Sequence, residues 1–256
     1  MLTFADPLQY ANAAFGDRTA VVCDGVERTG AELVDRVCRL AAARATETEP
    51  GDRIALWAAN SDRYLEAYLA VPIAGRVLVP HNTRWAEPEL ADSLQDSRSR
   101  LLLCDRDPGG LADVVGRVLR IPDDHDALMD SVPVGGGVDL GTLRSSDELA
   151  GLFYTGGTTG RSKGVMLSHG NLVANAFHIQ IITPLHPGDR YLLAAPMFHA
   201  AGAVSILQSI WRGAVQVIQP AFTPTGALDL LEQQRITATL LVPTMIAGMV
   251  EEQLVN

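Results

Sequence analysis

Apolar residues recur along the chain in two rhythms, of about 3.6 and about 2 residues, and the switches between them predict the elements. Thr29-Gly30-Ala31-Glu32 has the form of a capping box, and Leu33, Val34, Val37, Leu40 and Ala41 follow at helical spacing. A helix is therefore expected from about Thr29 to Ala45. Ile54 to Ala58 is an apolar run of strand length, and Asn60-Ser61 can cap a helix with Tyr64, Leu65, Tyr68 and Leu69 on one face. Gly75 ends that helix, with Pro72 distorting its last turn. Val77 to Pro80 reads as a strand, Pro88 opens a helix carrying Leu90 and Leu94, and Leu101 to Cys104 is another strand.

The stretch from Asp105 to Asp147 is rich in Asp, Gly and Pro, including Gly135-Gly136-Gly137, and reads as a variable linker. Beyond it come a helix bearing Leu172, Val173, Ala176 and Ile179 and a strand from Tyr191 to Ala195, halted by Pro196. A helix closed by Trp211 and Gly213 precedes a strand from Val215 to Ile218. Thr223-Pro224 opens a helix, Ala238 to Val242 is the last strand, and Pro243 starts a helix with Ile246, Val250 and Leu254 stacked on one face. This alternation predicts an α/β fold of largely parallel sheets with flanking helices.

Composition narrows the function classes. Of 256 residues, 47% are hydrophobic and 20% charged, as in an ordinary globular chain. The net charge of −10 offers no basic surface for nucleic acid or an anionic membrane, so any anion must be held locally. Cys23, Cys38 and Cys104 are far apart and without metal-site spacing, which predicts neither a disulfide framework nor zinc and fits a cytoplasmic protein. The first residues, with Asp6 and no basic patch before an apolar stretch, do not read as a secretory signal. Tyr191 to Trp211 lacks Asp, Glu, Lys and Arg over a bilayer-spanning length, but Pro196, His199 and Gln208 predict a buried soluble segment and no transmembrane span.

Leu152 to Gly164, reading Leu-Phe-Tyr-Thr-Gly-Gly-Thr-Thr-Gly-Arg-Ser-Lys-Gly, concentrates special backbone chemistry. Three apolar residues end a strand, and the glycines then let successive N–H groups turn toward one anion. Thr155, Thr158 and Thr159 add hydroxyls, and Lys163 adds a point charge. At ~4 Å and an effective dielectric near 20, one ammonium–phosphate contact gains roughly 4 kcal/mol before desolvation. A Walker A loop would need Gly at Ser162 and a hydroxyl residue at Gly164, so ordinary P-loop chemistry is disfavoured. Val165, Met166 and Leu167 predict a second strand, placing the loop between two strands.

The segment resembles the signature loop of the AMP-forming adenylating enzymes: acyl- and aryl-CoA synthetases, peptide-synthetase adenylation domains and luciferases. Their common form is Thr-Ser-Gly-Thr-Thr-Gly-x-Pro-Lys-Gly, from which this chain departs at Gly156 and Ser162. The Thr-Gly-Gly-Thr-Thr-Gly variant is similar to that of long-chain fatty-acyl-CoA ligases. The resemblance implies that Thr155, Gly156, Gly157, Thr158, Thr159 and Gly160 embrace the phosphates of ATP, with Lys163 at the far end of the loop. It also puts the Thr155 hydroxyl near Mg²⁺. A carboxylic acid would be joined to the α-phosphate and then passed to coenzyme A.

Pro196-Met197-Phe198-His199-Ala200-Ala201-Gly202 resembles the family's Pro-x-Phe-His segment, which makes His199 the candidate catalytic residue lining the acyl pocket. Without the resemblance, His199 would read as a packed histidine at a helix start. His81, His125, His169, His178 and His186 read as surface or loop residues. The small run Ala200 to Ala203 leaves room for a long apolar acid, implying a fatty acid. Ala70 to Pro80 and Asn82-x-Arg84 resemble packing motifs of the same family.

The resemblance covers residues 1–256 as the N-terminal part of the AMP-binding large domain. The rest of that domain, with the family's magnesium carboxylate and ribose aspartate, and the small C-terminal lid domain are absent. Three readings stay open: the first half of an acyl-CoA ligase, a nucleotide-binding remnant without catalysis, and an interaction module. The expected partners are a small-molecule carboxylic acid, ATP and CoA. An unpaired sheet edge and an open apolar face further predict self-association or a second chain supplying the missing half.

Overall fold

Neighbouring residues of each central strand face opposite ways, and both faces are apolar, so the strands need helices on either side. The computed structural model describes residues 2–141, 145–155 and 162–255. In chain order the strands are β1 (Thr19–Cys23), β2 (Val26–Thr29), β3 (Arg53–Trp57), β4 (Val77–Pro80), β5 (Ser99–Cys104), β6 (Val118–Arg120), β7 (Leu149–Thr155), β8 (Lys163–Ser168), β9 (Arg190–Leu193), β10 (Val215–Ile218) and β11 (Ala238–Thr239). The helices are α1 (Ala5–Phe15), α2 (Gly30–Glu47), α3 (Asp62–Ile73), α4 (Glu87–Ser97), α5 (Asp123–Asp130), α6 (His169–Ile182), α7 (Ala200–Arg212), α8 (Pro224–Gln233) and α9 (Pro243–Val255).

Two sheets result, in the orders β11-β9-β10-β1-β2 and β6-β5-β3-β4-β7-β8. Pairing is parallel except in the hairpins β1–β2 and β7–β8. The expected α/β class with largely parallel sheets is what the chain forms. Val21, Leu193 and Ile218 of one sheet and Ile54, Leu56, Leu101 and Leu103 of the other join a core shared with α1, α2, α3, α6 and α7. Val22, Leu192, Val215 and Val217 face outward onto α8 and α9, while Ala55, Leu102 and Cys104 face outward onto α4. The helix layer between the sheets is thus the main core.

Short-range backbone signals set several helix starts. Thr29 caps α2 with a reciprocal capping box to Glu32, as expected, and Ser168 caps α6 in the same way with Asn171. Other expectations are corrected. The linker expected over 105–147 includes a short 3-10 turn at Gly109–Asp113, β6 paired with β5, and α5. The last strand is held to Ala238–Thr239; Leu240 and Val242 leave the ladder and are exposed. Met245 and Met249 pack α9 into the core, whereas Ile246, Val250 and Leu254 form its exposed face. Tyr191 to Trp211 is a strand, a turn and a helix, and among the described residues no helix is long and apolar enough to cross a membrane. The cysteines are buried free thiols, and burial pushes Cys23 and Cys38 up to about 11.

Three histidines read as surface residues are instead buried. His81 stacks on Tyr154 and shares a hydrogen bond with Ser93, and His169 packs edge-on against Phe4 and accepts its N–H at 3.3 Å. His125 lies on the buried side of α5 with Nε2 3.0 Å from Glu66. Polar type alone suggested exposure; partners two or more elements away reversed it. His178 and His186 are exposed as expected.

His125 belongs to an ionic network that ties β2, α2, α3 and α5 together. Arg36 Nε donates to Glu66 at 2.5 Å, Arg28 to Asp62 at 2.8 Å, and Arg63 to Asp126 at 2.8 Å. Ligand atoms of Glu66, His125 and Asp126 lie within 4.8 Å of one another, a metal-like spacing, yet Arg36 and Arg63 already neutralise both carboxylates. Burial works to raise the Glu66, Asp62 and Asp126 carboxyls, but hydrogen bonds from His125 and the arginines outweigh it and hold all three below the usual carboxylate range. Groups depressed in the folded state stabilise it fully above the unfolded values of about 4, and that stability is lost as pH falls through the folded values. Glu66→Gln removes the charge that half-buried Arg36 meets at 2.5 Å and leaves it Asp126 at 3.3 Å, which should cost about 1–3 kcal/mol at pH 7. Urea unfolding should show that difference constant from pH 7 to pH 5 and closing below about pH 4; a gap independent of pH would show that the charge on Glu66 is not what stabilises the network.

Candidate active site

The hairpin β7–β8 sets the site because β7 outruns its neighbour. Leu78 of β4 lies opposite Gly151, so β7 passes the end of β4 at Pro80 and carries Thr155 beyond the carboxyl edge of the sheet. Across the antiparallel ladder Thr155 pairs with Lys163, and the Thr155 hydroxyl makes a long 3.5 Å contact to the Lys163 carbonyl. Two candidate residues are thereby fixed at the two feet of the loop, both exposed. Gly156, Gly157, Thr158, Thr159 and Gly160 lie outside the described residues. The loop spans two strands, as the apolar run after Lys163 predicted.

Opposite the hairpin, Pro196 to His199 link β9 to α7. His199 N–H donates to the Pro196 carbonyl at 3.1 Å, and the His199 carbonyl accepts from Gly202 and Ala203 at 2.9 and 3.0 Å, so His199 leads directly into α7. A Cβ on Gly202 would stand 2.2 Å from the Pro196 carbonyl oxygen, so glycine is required for this approach. His199 is exposed and not the packed core histidine that its position alone suggested.

Asn60 fixes this segment to the rest of the molecule. Its Nδ2 donates to the carbonyls of Ala195 at 3.0 Å and Gln219 at 3.2 Å, and its Oδ1 accepts the Met197 N–H at 2.8 Å. The sequence suggested Asn60-Ser61 as a cap; Ser61 alone caps α3, and Asn60 bridges the two sheets.

Between hairpin, α6 and α7 opens a cleft of about 750 Å³. Thr155 and His199 both line it, at its exposed rim, while Phe153, Leu172, Phe198 and Leu207 form apolar walls. That volume is in the range of small-molecule sites, roughly 300–1,000 Å³. One wall is aromatic: the Tyr154 ring lies 5.9 Å from His81 at 25° and 6.3 Å from Trp85 at 80°. Tyr154 O–H donates to Asp96 at 2.5 Å; burial, then the hydrogen bond and charge of that carboxylate, raise its phenol pKa above the ordinary value. Burial pushes His81 down to about 3, so its imidazole is neutral at physiological pH and serves as a ring, not a charge. Thr155 brings a hydroxyl to the cleft, a hard oxygen of the type that Mg²⁺ accepts as a ligand.

A model of the AMP-binding enzyme family matches residues 8–256. The chain belongs to the AMP-binding enzyme family. Among curated members it is similar to a feruloyl-CoA synthase from an Amycolatopsis species, 39% identical over 231 residues, covering 89% of this chain and 46% of that protein. It is also similar to the fatty acid–[acyl-carrier-protein] ligase ScoC of Streptomyces coeruleorubidus, 32% identical over 243 residues, covering 91% of this chain and 46% of that protein. The structure of o-succinylbenzoate CoA synthetase from Bacillus subtilis, in complex with its acyl-adenylate intermediate, aligns with a TM-score of 0.86 at 27% identity, over 96% of this chain and 64% of that one. The chain spans about half the length of the curated relatives it matches.

Family motifs pointed to the hairpin and His199, whereas Asn60, Trp85, Tyr154 and Asp96 carried no sequence signal of a place at the cleft or its supports. Asn60→Ala should orphan the Met197 amide and two carbonyls, costing about 2–3 kcal/mol in urea unfolding. Amide exchange at Met197 should accelerate more than elsewhere in the main core; a Met197 amide that stays protected in a fully stable variant would show that Asn60 does not hold the segment.

Proposed function

We propose that this chain supplies the ATP-facing hairpin and part of the acid pocket of an AMP-forming ligase, which converts a carboxylic acid to an acyl-adenylate and then to a CoA thioester. The observation that carries the reading is one apolar cleft with Thr155 on one rim and His199 on the other, beside the Lys163 foot of the loop. Thr155, Gly156, Gly157, Thr158, Thr159, Gly160 and Lys163 hold the nucleotide phosphates, with backbone N–H groups and the ammonium supplying the donors. The Thr155 hydroxyl offers a ligand to Mg²⁺, which when bound neutralises phosphate charge. His199 and Phe198 face the acid. The magnesium carboxylate and ribose contact come from sequence beyond these residues, on the same polypeptide or a second chain.

Two acid classes fit, each on its own observation. The aromatic wall of Tyr154 and Trp85 and the 39% identical feruloyl-CoA synthase favour an aryl acid. The small side chains of Ala200 and Ala203 on the opposite wall favour a long alkyl acid, as expected for a fatty-acid ligase in the cytoplasm.

Lys163 is the only lysine in the sequence, so amine-directed labelling reports on it and the N-terminal amine alone. ATP should protect Lys163 from reductive methylation of the chain, read by mass spectrometry, while leaving the N-terminal amine reactive. In acid-dependent pyrophosphate exchange, with the C-terminal half of a relative added in trans where needed, Lys163→Ala should lower the rate roughly 10²–10³-fold, the scale of losing one preorganised donor. Unprotected Lys163 together with unchanged exchange would remove the nucleotide role.

A further inference from the structure

The inner end of the cleft holds a polar group that the adenylation chemistry does not use. Tyr68 stands in the middle of α3, is 2% exposed, and borders the cleft, its ring 6.2 Å from that of Phe4. Its surroundings along the cleft are apolar: Phe153, Leu172, Phe198 and Leu207. Other tyrosines of the core differ. Tyr154 donates to Asp96, and the Tyr64 hydroxyl is sealed away without a partner among the described residues. Among the described residues the Tyr68 hydroxyl has neither a hydrogen-bond partner nor such a seal, and burial alone raises its pKa.

A phenol that gains no protein partner and keeps its hydroxyl open to the cleft is poised to bond with whatever displaces water there. An acid whose carboxylate lies at the rim, near Thr155 and His199, sends its far end toward Tyr68. We propose that Tyr68 is a specificity-determining residue that selects carboxylic acids carrying a hydroxyl or ether oxygen at the end remote from the carboxylate, with hydroxyaryl acids as the class that fits both this hydroxyl and the aromatic wall. The inference rests on the acid-pocket reading of the cleft and adds the chemistry of its inner end. A hydrocarbon-tipped acid would leave the phenol desolvated and unpaired, so discrimination comes from the penalty on the wrong acid as well as the bond to the right one.

Calorimetric titration of the chain with 4-hydroxycinnamate, cinnamate and decanoate tests this, alongside Tyr68→Phe. The parent chain should bind 4-hydroxycinnamate about tenfold more tightly than cinnamate, about 1.4 kcal/mol. In Tyr68→Phe that ratio should fall to about 1. The hydroxyl has no protein partner to lose, so the variant should fold with the thermal midpoint of the parent. Equal affinities for the two cinnamates in the parent, or a tenfold ratio that survives in Tyr68→Phe, would overturn the role of Tyr68. Binding of decanoate without either cinnamate would overturn it too, while leaving the acid pocket standing. Failure of all three acids to bind would reject the pocket reading itself and this inference with it.

Discussion

Three hydrogen bonds to one side chain hold the two sides of the site in register. Two parallel sheets that share a helix layer can slide or tilt against each other, because apolar packing is non-directional. Asn60, placed after β3 in one sheet, reaches the ends of β9 and β10 in the other and uses both amide donors and its carbonyl acceptor to do so. Only an amide side chain offers that combination on so short a stem; an aspartate lacks the donors and a serine lacks the count. The Pro196 to His199 segment hangs from this joint, and the close approach enforced by Gly202 turns it into α7. The gap between His199 and the β7–β8 hairpin follows from it.

Stability and chemistry are drawn from different parts of the molecule. The carboxylates of Asp62, Glu66 and Asp126 are spent on Arg28, Arg36, Arg63 and His125, where burial makes each pair depend on its partner. This network joins β2, α2, α3 and α5 and leaves the cleft lined without Asp, Glu, Lys or Arg among the described residues. Asn82, Asn171, Asn175 and Thr155 supply its rim, and Tyr154 keeps its proton against Asp96. A net charge of −10 would repel a nucleotide at long range, but the Debye length of about 8 Å at physiological salt confines that repulsion, so local donors would decide the proposed binding.

Helix boundaries and central strands were legible because caps and apolar runs are local. The box at Thr29, the Ser168 cap and the Pro224 start each satisfy backbone groups within one turn, so sequence neighbours suffice to find them. The hairpin β1–β2 went unread although Asp24 and Gly25 adopt the positive φ angles of a tight turn and Asp-Gly is a hairpin signal. Its strands are short, and Thr19 to Cys23 do not alternate cleanly because β1 is buried on both faces toward its end. The roles of His81, His125 and His169 were illegible for a different reason. A histidine is made a core residue by partners such as Glu66 or Phe4 that lie far away in sequence, and composition cannot supply them. The same holds for Asn60 and Tyr68, whose contacts exist only once the sheets and helices are assembled.

The proposed phosphate role of the loop accounts for the choice of cation there. The chain carries 20 basic residues, and every one except Lys163 is an arginine. Arginine serves where geometry is fixed: Arg36 and Arg63 each address more than one acceptor with a planar fork inside a packed network. A phosphate that enters, changes its bonding and leaves as pyrophosphate presents no single plane to match. A compact ammonium on a four-carbon stem would keep its charge on the anion through such changes, because three rotatable donors impose no fork geometry. Placed at the foot of β8, opposite Thr155, that charge is anchored by the ladder at its backbone and carried on an exposed side chain. The lone lysine thus stands where a chain otherwise committed to arginine would gain least from a rigid donor.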